Sequence, residues 1–353
     1  MIISLNNFDS KRVEQLDDIM KNNGAIFDVL ADYVNNNEKF ITKEMLMQIV
    51  NDYEMNPSMA FAMLISSACG MEIYSNPIHK ELFHNYFVPA IKELNPSDYN
   101  QDPYLKTIKF PDKLYKNWKF TTTTYSPCEA FIYNDPYQKS DFTEIPQIGF
   151  FMEEFKFPAV LENGREWMSV KPNEIETMQI PIENAHGKVL AYGLGLGYFA
   201  FMASQKRSVE SVTIVEKNPE IIDLFTSELL PQFPNAQKIN IINTDAFEYA
   251  EKSAPNENYD YIFSDIWHDT GDGLSMYLKL KRLNSKIANC EFDYWIEKSL
   301  LSSLRYTVFG QLYKIFKSKG SSPAQPGEKI VKTYQELVNM ISDNGLKNLK
   351  INA

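Results

Sequence analysis

The chain has 353 residues, of which 44% are hydrophobic, and a formal net charge of −11 at pH 7. This length is sufficient for two domains, and the apolar share is typical of a globular protein rather than a disordered or collagen-like one. Broad nucleic-acid binding is not expected, because phosphate contacts require clustered Lys and Arg residues. A membrane-spanning helix is not expected either, because no apolar run approaches ~20 residues.

The cysteines indicate a reducing compartment. Cys69, Cys128 and Cys290 are widely spaced and form no CxxC pair. This pattern favours reduced thiols over a disulfide framework or a zinc site, so no metal is expected. The N-terminal residues carry too short an apolar stretch for a signal peptide. We therefore expect a cytoplasmic protein with a small-molecule substrate and no membrane partner.

Residues 1–103 are predicted to form an all-helical domain, because apolar residues recur there at helical spacing. Thr42 is expected to cap one helix, and Asn56 followed by Pro57 to begin another that stops at Gly70. The role of this domain stays open between capping an active site, binding a partner and oligomerisation, for example as a homodimer.

Residues 104–184 are predicted to form a small β-rich segment, because they are rich in Thr, Tyr, Phe and Trp with breaks at Pro and Asn. The stretch "IGFFMEEFKFPAVLENGREWMSV" is typical of a β-hairpin. Its turn is expected at 162–164, and its return arm should run through Trp167.

In residues 185–353, short apolar runs alternate with helical segments. The strand candidates are "KVLAY", "SVTIVE", "INIINTD" and "YDYIFSD", and "FDYWIEKSLL" is a candidate fifth strand. This alternation predicts an α/β, Rossmann-like domain with a mostly parallel sheet and helices on both faces. A helical extension is expected to follow, with a loop at "KGSSPAQPGEK" and a last helix at "TYQELVNMIS".

A glycine-rich loop, "GLGLG", joins the first of these strands to a helix and contains Gly193, Gly195 and Gly197. Glycines allow a sharp turn and a close approach of a ligand to the backbone. The dinucleotide fingerprint is GxGxxG, whereas Tyr198 stands here in place of its third glycine. The loop therefore indicates a nucleotide-like ligand and disfavours an NAD-dependent oxidoreductase.

Three acids follow the predicted parallel strands: Glu216, Asp245 and Asp265. Ligands of open α/β sheets bind at the carboxyl ends of the strands. Glu216 is placed to hold ribose hydroxyls and Asp245 to meet an adenine amino group. The structural alternative is that each acid only caps the next helix.

The stretch "DIWHDTGDG" after the fourth strand is the predicted catalytic loop. Asp265 is the candidate to accept a proton from an amine or to hold a cation, with Asp269 as a second anion. His268 is a candidate general base or substrate contact, with a structural role as the alternative. Trp267 is expected either to wall the substrate pocket or to lie in the core.

Two further acids, Glu174 and Glu176, lie in "NEIETM" shortly before the first parallel strand. They are candidates to face a cationic substrate or the ammonium group of the ligand. A solvated helix start is the alternative interpretation.

These motifs resemble the class I S-adenosylmethionine-dependent methyltransferase superfamily, and residues 150–269 are most similar to the spermidine synthase group. "VLAYGLGLG" is similar to the family's first motif, and Asp265 corresponds to its fourth-strand catalytic Asp. Many methyltransferases have an acid where this chain has Ala191, and spermidine synthases also lack it. The resemblance implies S-adenosylmethionine, or its decarboxylated form, as the cofactor. The implied cofactor-binding residues are Gly193, Gly195, Gly197, Glu216, Asp245, Ala246 and Asp265.

Two departures from the spermidine synthase pattern bear on the activity. The family's Asp-x-x-Asp followed by proline reads "DIWHDTGDG" here, and "PNEIETM" occupies the region of its polyamine-binding Tyr-His-Glu motif. The prediction is therefore a methyltransferase that acts on a small molecule by in-line transfer. The alternatives are an aminopropyltransferase and a non-catalytic nucleoside-binding protein. An acidic pocket near the loop would favour the decarboxylated cofactor.

Overall fold

The structure is a computed structural model that describes residues 7–111 and 114–317. The predicted loop "KGSSPAQPGEK" and the predicted helix "TYQELVNMIS" lie outside these residues. Within the two described ranges, no helix combines the length and the apolar character needed to cross a bilayer.

The first part of the chain is mainly helical, as predicted. Its helices are α1 (Asn7–Asn36), α2 (Lys43–Tyr53), α3 (Pro57–Ala68), α4 (Pro77–Leu82), α5 (Val88–Ala90), α6 (Pro96–Asn100) and α7 (Pro103–Thr107). The Thr42 side chain accepts a hydrogen bond at the start of α2, and the Asn56 side chain does so at α3. Gly70 follows α3 with φ of 75°. These predicted boundaries are confirmed.

One segment within the predicted all-helical region is a strand, β1 (Ile91–Leu94). It pairs in parallel with a later strand, β5 (Glu144–Phe151). Both end residues of β1 are buried. The local pattern of four residues cannot distinguish a strand from a helical turn, so this correction depends on the tertiary pairing.

The next segment is rich in strands and contains two sheets. Its remaining strands are β2 (Leu114–Tyr115), β3 (Trp118–Tyr125), β4 (Phe131–Gln138), β6 (Phe155–Glu162) and β7 (Arg165–Ser169). One sheet has the order β1-β5-β4 and the other β2-β3-β6-β7. The predicted hairpin is confirmed as β6 and β7, with Asn163 and Gly164 at positive φ in the turn. Two short helices, α8 (Pro172–Thr177) and α9 (Gln179–Asn184), end the segment that was predicted to be β-rich.

The rest of the described chain alternates strands and helices. These elements are β8 (Gly187–Tyr192), α10 (Tyr198–Gln205), β9 (Val209–Glu216), α11 (Pro219–Leu224), β10 (Ile239–Asn243), α12 (Ala246–Lys252), β11 (Tyr261–Ser264), α13 (Thr270–Asn284), β12 (Glu291–Tyr294) and α14 (Glu297–Lys317). The predicted fifth strand is β12, and the second half of "FDYWIEKSLL" begins α14 instead.

The five strands of this part form a parallel sheet in the order β10-β9-β8-β11-β12. Helices connect successive strands, so the predicted α/β, Rossmann-like fold is confirmed. Successive strands are added to one side of β8 up to β10 and then to its other side from β11 onward, so the order of the strands reverses between β8 and β11. In open sheets of this kind, ligands bind outside the carboxyl ends of the strands at such a switch point.

Most of the core in the described residues belongs to two large clusters of buried side chains. One contains the interior of the parallel sheet, including Val189, Val212 and Ile262, and also residues of β3 and β6. The other contains the helical part of the chain and the inner residues of β5. The β3–β6 sheet therefore packs on the parallel sheet, and it carries β7 to the carboxyl ends of the parallel strands.

Candidate functional site

The glycine loop lies at the switch point, and all three of its glycines have positive φ: 96° at Gly193, 52° at Gly195 and 76° at Gly197. A Cβ atom on Gly193 would lie 1.9 Å from the backbone oxygen of Asp265. The Asp265 amide in turn donates to the Tyr192 carbonyl at 2.8 Å. Only glycine allows the loop to cross the end of β11 at this distance.

Two tyrosines hold the loop from the outside. The Tyr104 hydroxyl, on α7, donates to the Leu196 carbonyl at 2.5 Å. The Tyr198 hydroxyl, on the first turn of α10, donates to Asp102 Oδ2 at 2.8 Å. Asp102 also caps α7, because its Oδ1 accepts the amides of Tyr104 and Leu105. Sequence reasoning missed this clamp, and the tyrosine in place of a third glycine was its one local indication.

A cavity of about 30 Å³ lies beside the loop. Its floor is apolar and comes from the parallel sheet and α10, at Ala191, Phe199 and Phe263. Its outer wall is the stretch from β7 to α8 and the residue after it, including Met168 and Met178. This volume holds a water molecule or a group of similar size, such as an ammonium, but not a whole nucleoside.

Two carboxylates, Glu174 and Asp265, line this cavity. Glu174 lies in the first turn of α8 with 8% of its surface exposed. Burial, opposed by the charge of Lys171 and aided by that of Glu166, raises the pKa of Glu174 to about 7. Burial, and then the charge of Glu174, hold the pKa of Asp265 well above its usual range. The two acids therefore act on each other and favour a shared cation.

The described lining of the cavity contains no Lys, Arg or His. The charge of Lys171 lowers the pKa of Glu174, but the Lys171 Nζ lies 3.1 Å from Glu166 Oε1 and is thereby paired with a different carboxylate. An anionic group in the cavity would face two carboxylates, whereas a cationic group would be stabilised by both.

The strand-end acids Glu216 and Asp245 lie outside the cavity lining. Glu216 ends β9, and its carboxylate accepts the amides of Leu194 at 3.2 Å and of Asn218 at 2.8 Å. It therefore touches the glycine loop from the neighbouring strand. Asp245 caps α12, and its Oδ1 accepts the amides of residues 247 and 248. Ala246 is the buried first residue of that helix.

The predicted catalytic loop separates into two parts. Asp265 lines the cavity, but Asp269 caps α13 in a reciprocal capping box with Asp272. The His268 side chain is exposed, and its Nδ1 lies 3.1 Å from Asp272 Oδ2. Trp267 is buried against Gly273 rather than against the cavity. Catalytic roles for His268 and Asp269, and a substrate contact by Trp267, stay predictions.

Glu176 also lies away from the cavity, although it is close to Glu174 in sequence. It accepts a hydrogen bond from the Tyr99 hydroxyl at 2.9 Å. Of the two predicted acids, Glu174 therefore shares the cavity with Asp265, whereas Glu176 is hydrogen-bonded to α6. A substrate contact by Glu176 stays a prediction.

The groups around the glycine loop fit a sulfonium nucleoside. The loop has three glycines that lack side chains, Glu216 places a carboxylate next to the loop backbone, and the acid pair provides a site for an ammonium. In the part of the chain that the structure describes, no three His, Cys, Asp or Glu residues are grouped as metal ligands.

No known family model matches the chain, and no curated protein matches its sequence. Solved structures of spermidine synthases are similar to parts of it. They are the Thermotoga maritima spermidine synthase (15% identity, TM-score 0.31, 43% of this chain and 59% of that one), a probable spermidine synthase from Corynebacterium glutamicum (18%, 0.26, 31% and 44%) and a spermidine synthase in complex with the transition-state analogue AdoDATO (15%, 0.31, 42% and 60%). The chain thus spans 60% or less of each neighbour's length.

Proposed function

We propose that the protein is a transferase that binds a sulfonium nucleoside of the S-adenosylmethionine type and transfers a group from it to an amine. The observation that carries this proposal is the acid pair, Glu174 and Asp265, in a cavity beside the glycine loop. A small-molecule acceptor fits better than a nucleic acid, because the chain has a net charge of −11.

The charge of the cavity favours the decarboxylated donor. S-adenosylmethionine carries a carboxylate, which the two acids that line the cavity would repel in their ionised form if it entered. The decarboxylated form carries only an ammonium at that end. Aminopropyl transfer is therefore the activity that the geometry supports best, although the sequence motifs alone favour methyl transfer.

The chain's own residues would hold the acceptor amine and take up its proton. When bound, the sulfonium activates the adjacent carbon toward attack by a nucleophile. The acceptor nitrogen must lose a proton before or as its N–C bond forms and the C–S bond breaks, because an alkyl amine is mostly protonated at neutral pH. A carboxylate oxygen of the pair accepts that proton, and the raised pKa of Glu174, about 7, suits this step near neutral pH. Fixed orientation supplies the rest of the acceleration.

Methyl transfer from S-adenosylmethionine is the second candidate. It is favoured by the absence of the proline-flanked acid pair after Asp265, where the chain reads "DIWHDTGDG". In this case Glu174 and Asp265 would hold the ammonium of the donor's amino-acid end. The carboxylate of the donor would then have to lie outside the cavity.

Calorimetric binding distinguishes these candidates. The ligands are decarboxylated S-adenosylmethionine, S-adenosylmethionine, S-adenosylhomocysteine and NAD, each added to the purified full chain. The proposal predicts the tightest binding for the decarboxylated donor. Glu174→Gln should weaken that binding, whereas Asp52→Asn, an exposed change of equal charge on α2, should not. Preference for the carboxylated form would favour methyl transfer, and binding of none would overturn the proposal.

A further inference from the structure

Met168 lies directly over the glycine loop. A Cβ atom on Gly195 would be 2.9 Å from the Met168 Cε and 3.8 Å from its Sδ. The other two loop glycines face different neighbours: the Asp265 carbonyl at Gly193 and the Phe225 ring at Gly197. Gly195 is therefore the one loop glycine whose open side is covered by the end of a flexible side chain.

A β-bulge places Met168 in this position. Val160 on β6 pairs with Met168, whereas the next residue, Leu161, pairs with Glu166, so Trp167 is an extra residue in β7. Bulges bend a strand and redirect its side chains, and they are frequent next to active sites. Among the described strands β7 is also the last of its sheet, so none of them pairs with its other edge.

We propose that Met168 is a displaceable plug that controls access of the ligand to the Gly195 backbone. This inference rests on the proposed function. A ligand that approaches Gly195 must move the Met168 methyl, because both would contact the same backbone. The cavity of about 30 Å³ agrees with a site whose wall must shift before a nucleoside enters.

Methionine suits this role because it is unbranched and has three rotatable side-chain bonds. Met168 is only partly buried, so its side chain can leave the loop without unfolding the sheet. The contacts that it loses on leaving lower the observed affinity of every ligand that uses the loop. Ligands therefore bind only when their contacts with the loop are more favourable in free energy than those that the Met168 side chain gives up.

The first test compares the affinities of plug variants for decarboxylated S-adenosylmethionine, the ligand that the proposed function favours, by calorimetry. Met168→Ala should bind about 10-fold tighter than the wild type, which corresponds to about 1.4 kcal/mol. Met168→Ile, with a branched and stiffer side chain, should bind more weakly than the wild type. The matched control is Met276→Ala, because Met276 is also partly buried against the same core but lies on α13.

Four outcomes decide the matter. Tighter binding by Met168→Ala alone supports the plug. Equal or weaker binding by that variant, when the wild type binds, overturns the plug and leaves the proposed function standing. An equal gain in affinity in Met276→Ala also overturns the plug, because the removal of any partly buried methionine would then strengthen binding. Binding by none of the proteins overturns the proposed function and the plug together.

A second measurement observes the plug directly. Protein labelled with ¹³C at the methionine methyl groups gives one resonance for each of its 14 methionines, and the one missing in Met168→Ala identifies Met168. Decarboxylated S-adenosylmethionine at saturation should shift this resonance and leave that of Met276 in place. An unmoved Met168 resonance would contradict displacement.

Discussion

Glu174 and Asp265 line one cavity, although one lies in the first turn of α8 and the other directly follows β11. The charge of Glu174 contributes to the raised pKa of Asp265. The shared cavity brings the predicted catalytic loop next to a segment that the sequence marked only as a candidate substrate contact. It also makes the cavity acidic, and the choice between donors follows from that property.

We expect Asp265→Asn to weaken binding of the decarboxylated donor by about 10- to 100-fold, because a charged hydrogen-bond partner contributes about 1.5–3 kcal/mol. The fold should be retained, since asparagine has nearly the shape of aspartate and Asp265 is only partly buried. Calorimetry and circular dichroism measure the two effects, with Asp52→Asn as the control. Unchanged affinity would exclude Asp265 from the site.

Binding of a cationic ligand should strengthen as the pH rises through about 7. Below this pH the acid pair gains a proton, because the pKa of Glu174 is about 7 and that of Asp265 is also raised. The variant Glu174→Gln should show a smaller change across the same window. Titrations between pH 5.5 and pH 8.5, roughly one and a half units on each side, check this expectation; a flat profile in the wild type would contradict it.

The free energy of unfolding should fall with pH because of Glu174. Its pKa rises from the ordinary value of 4.5 to about 7 on folding. The folded state therefore binds more protons between these values, and stability decreases as the pH rises through the window. Relative to Glu174→Gln, the wild type should lose about 3 kcal/mol between pH 4.5 and pH 7.5. Urea unfolding at several pH values measures this difference, and parallel curves for the two proteins would refute it.

Two alanine substitutions in the glycine loop should differ sharply. Gly193→Ala would drive a Cβ into the Asp265 carbonyl, so a loss of about 3 kcal/mol or more is expected. Gly195→Ala meets only the end of Met168 and should lose about 1 kcal/mol from its positive φ. Chemical denaturation of both variants gives the comparison. Equal losses would mean that the loop does not cross β11 as described.

Tyr198→Phe should destabilise the protein by about 1.5–3 kcal/mol at pH 7, because a buried carboxylate loses a donor. Burial raises the pKa of Asp102, and the hydrogen bond from Tyr198 lowers it. Without that bond the pKa rises further, so the loss should be smaller at pH 4, where Asp102 is closer to neutral. The control is Tyr53→Phe, since Tyr53 is 61% exposed. A loss independent of pH would argue against the clamp.

The sequence predicted much of the fold because its local patterns are strong. The alternation of strands and helices, the caps at Thr42 and Asn56 and the β6–β7 hairpin are all local, and each is confirmed. The strand β1 was missed, because four residues carry too little periodicity and its pairing partner lies in β5. Asp245 and Asp269 each cap a helix. An acid after a strand can therefore bind a ligand or cap the next helix, and its position in the sequence does not distinguish these roles.

By itself, the sequence determined the parallel sheet and the glycine loop between its first strand and the following helix, because hydrophobic period and glycine spacing act over a few residues. Only the tertiary structure decided which acids share a site. It joined Glu174 to Asp265, directed Glu176 to Tyr99 and laid Met168 over Gly195. These contacts depend on how the β3–β6 sheet packs against the parallel sheet, and that packing is set by side chains distant in sequence, which no local pattern records.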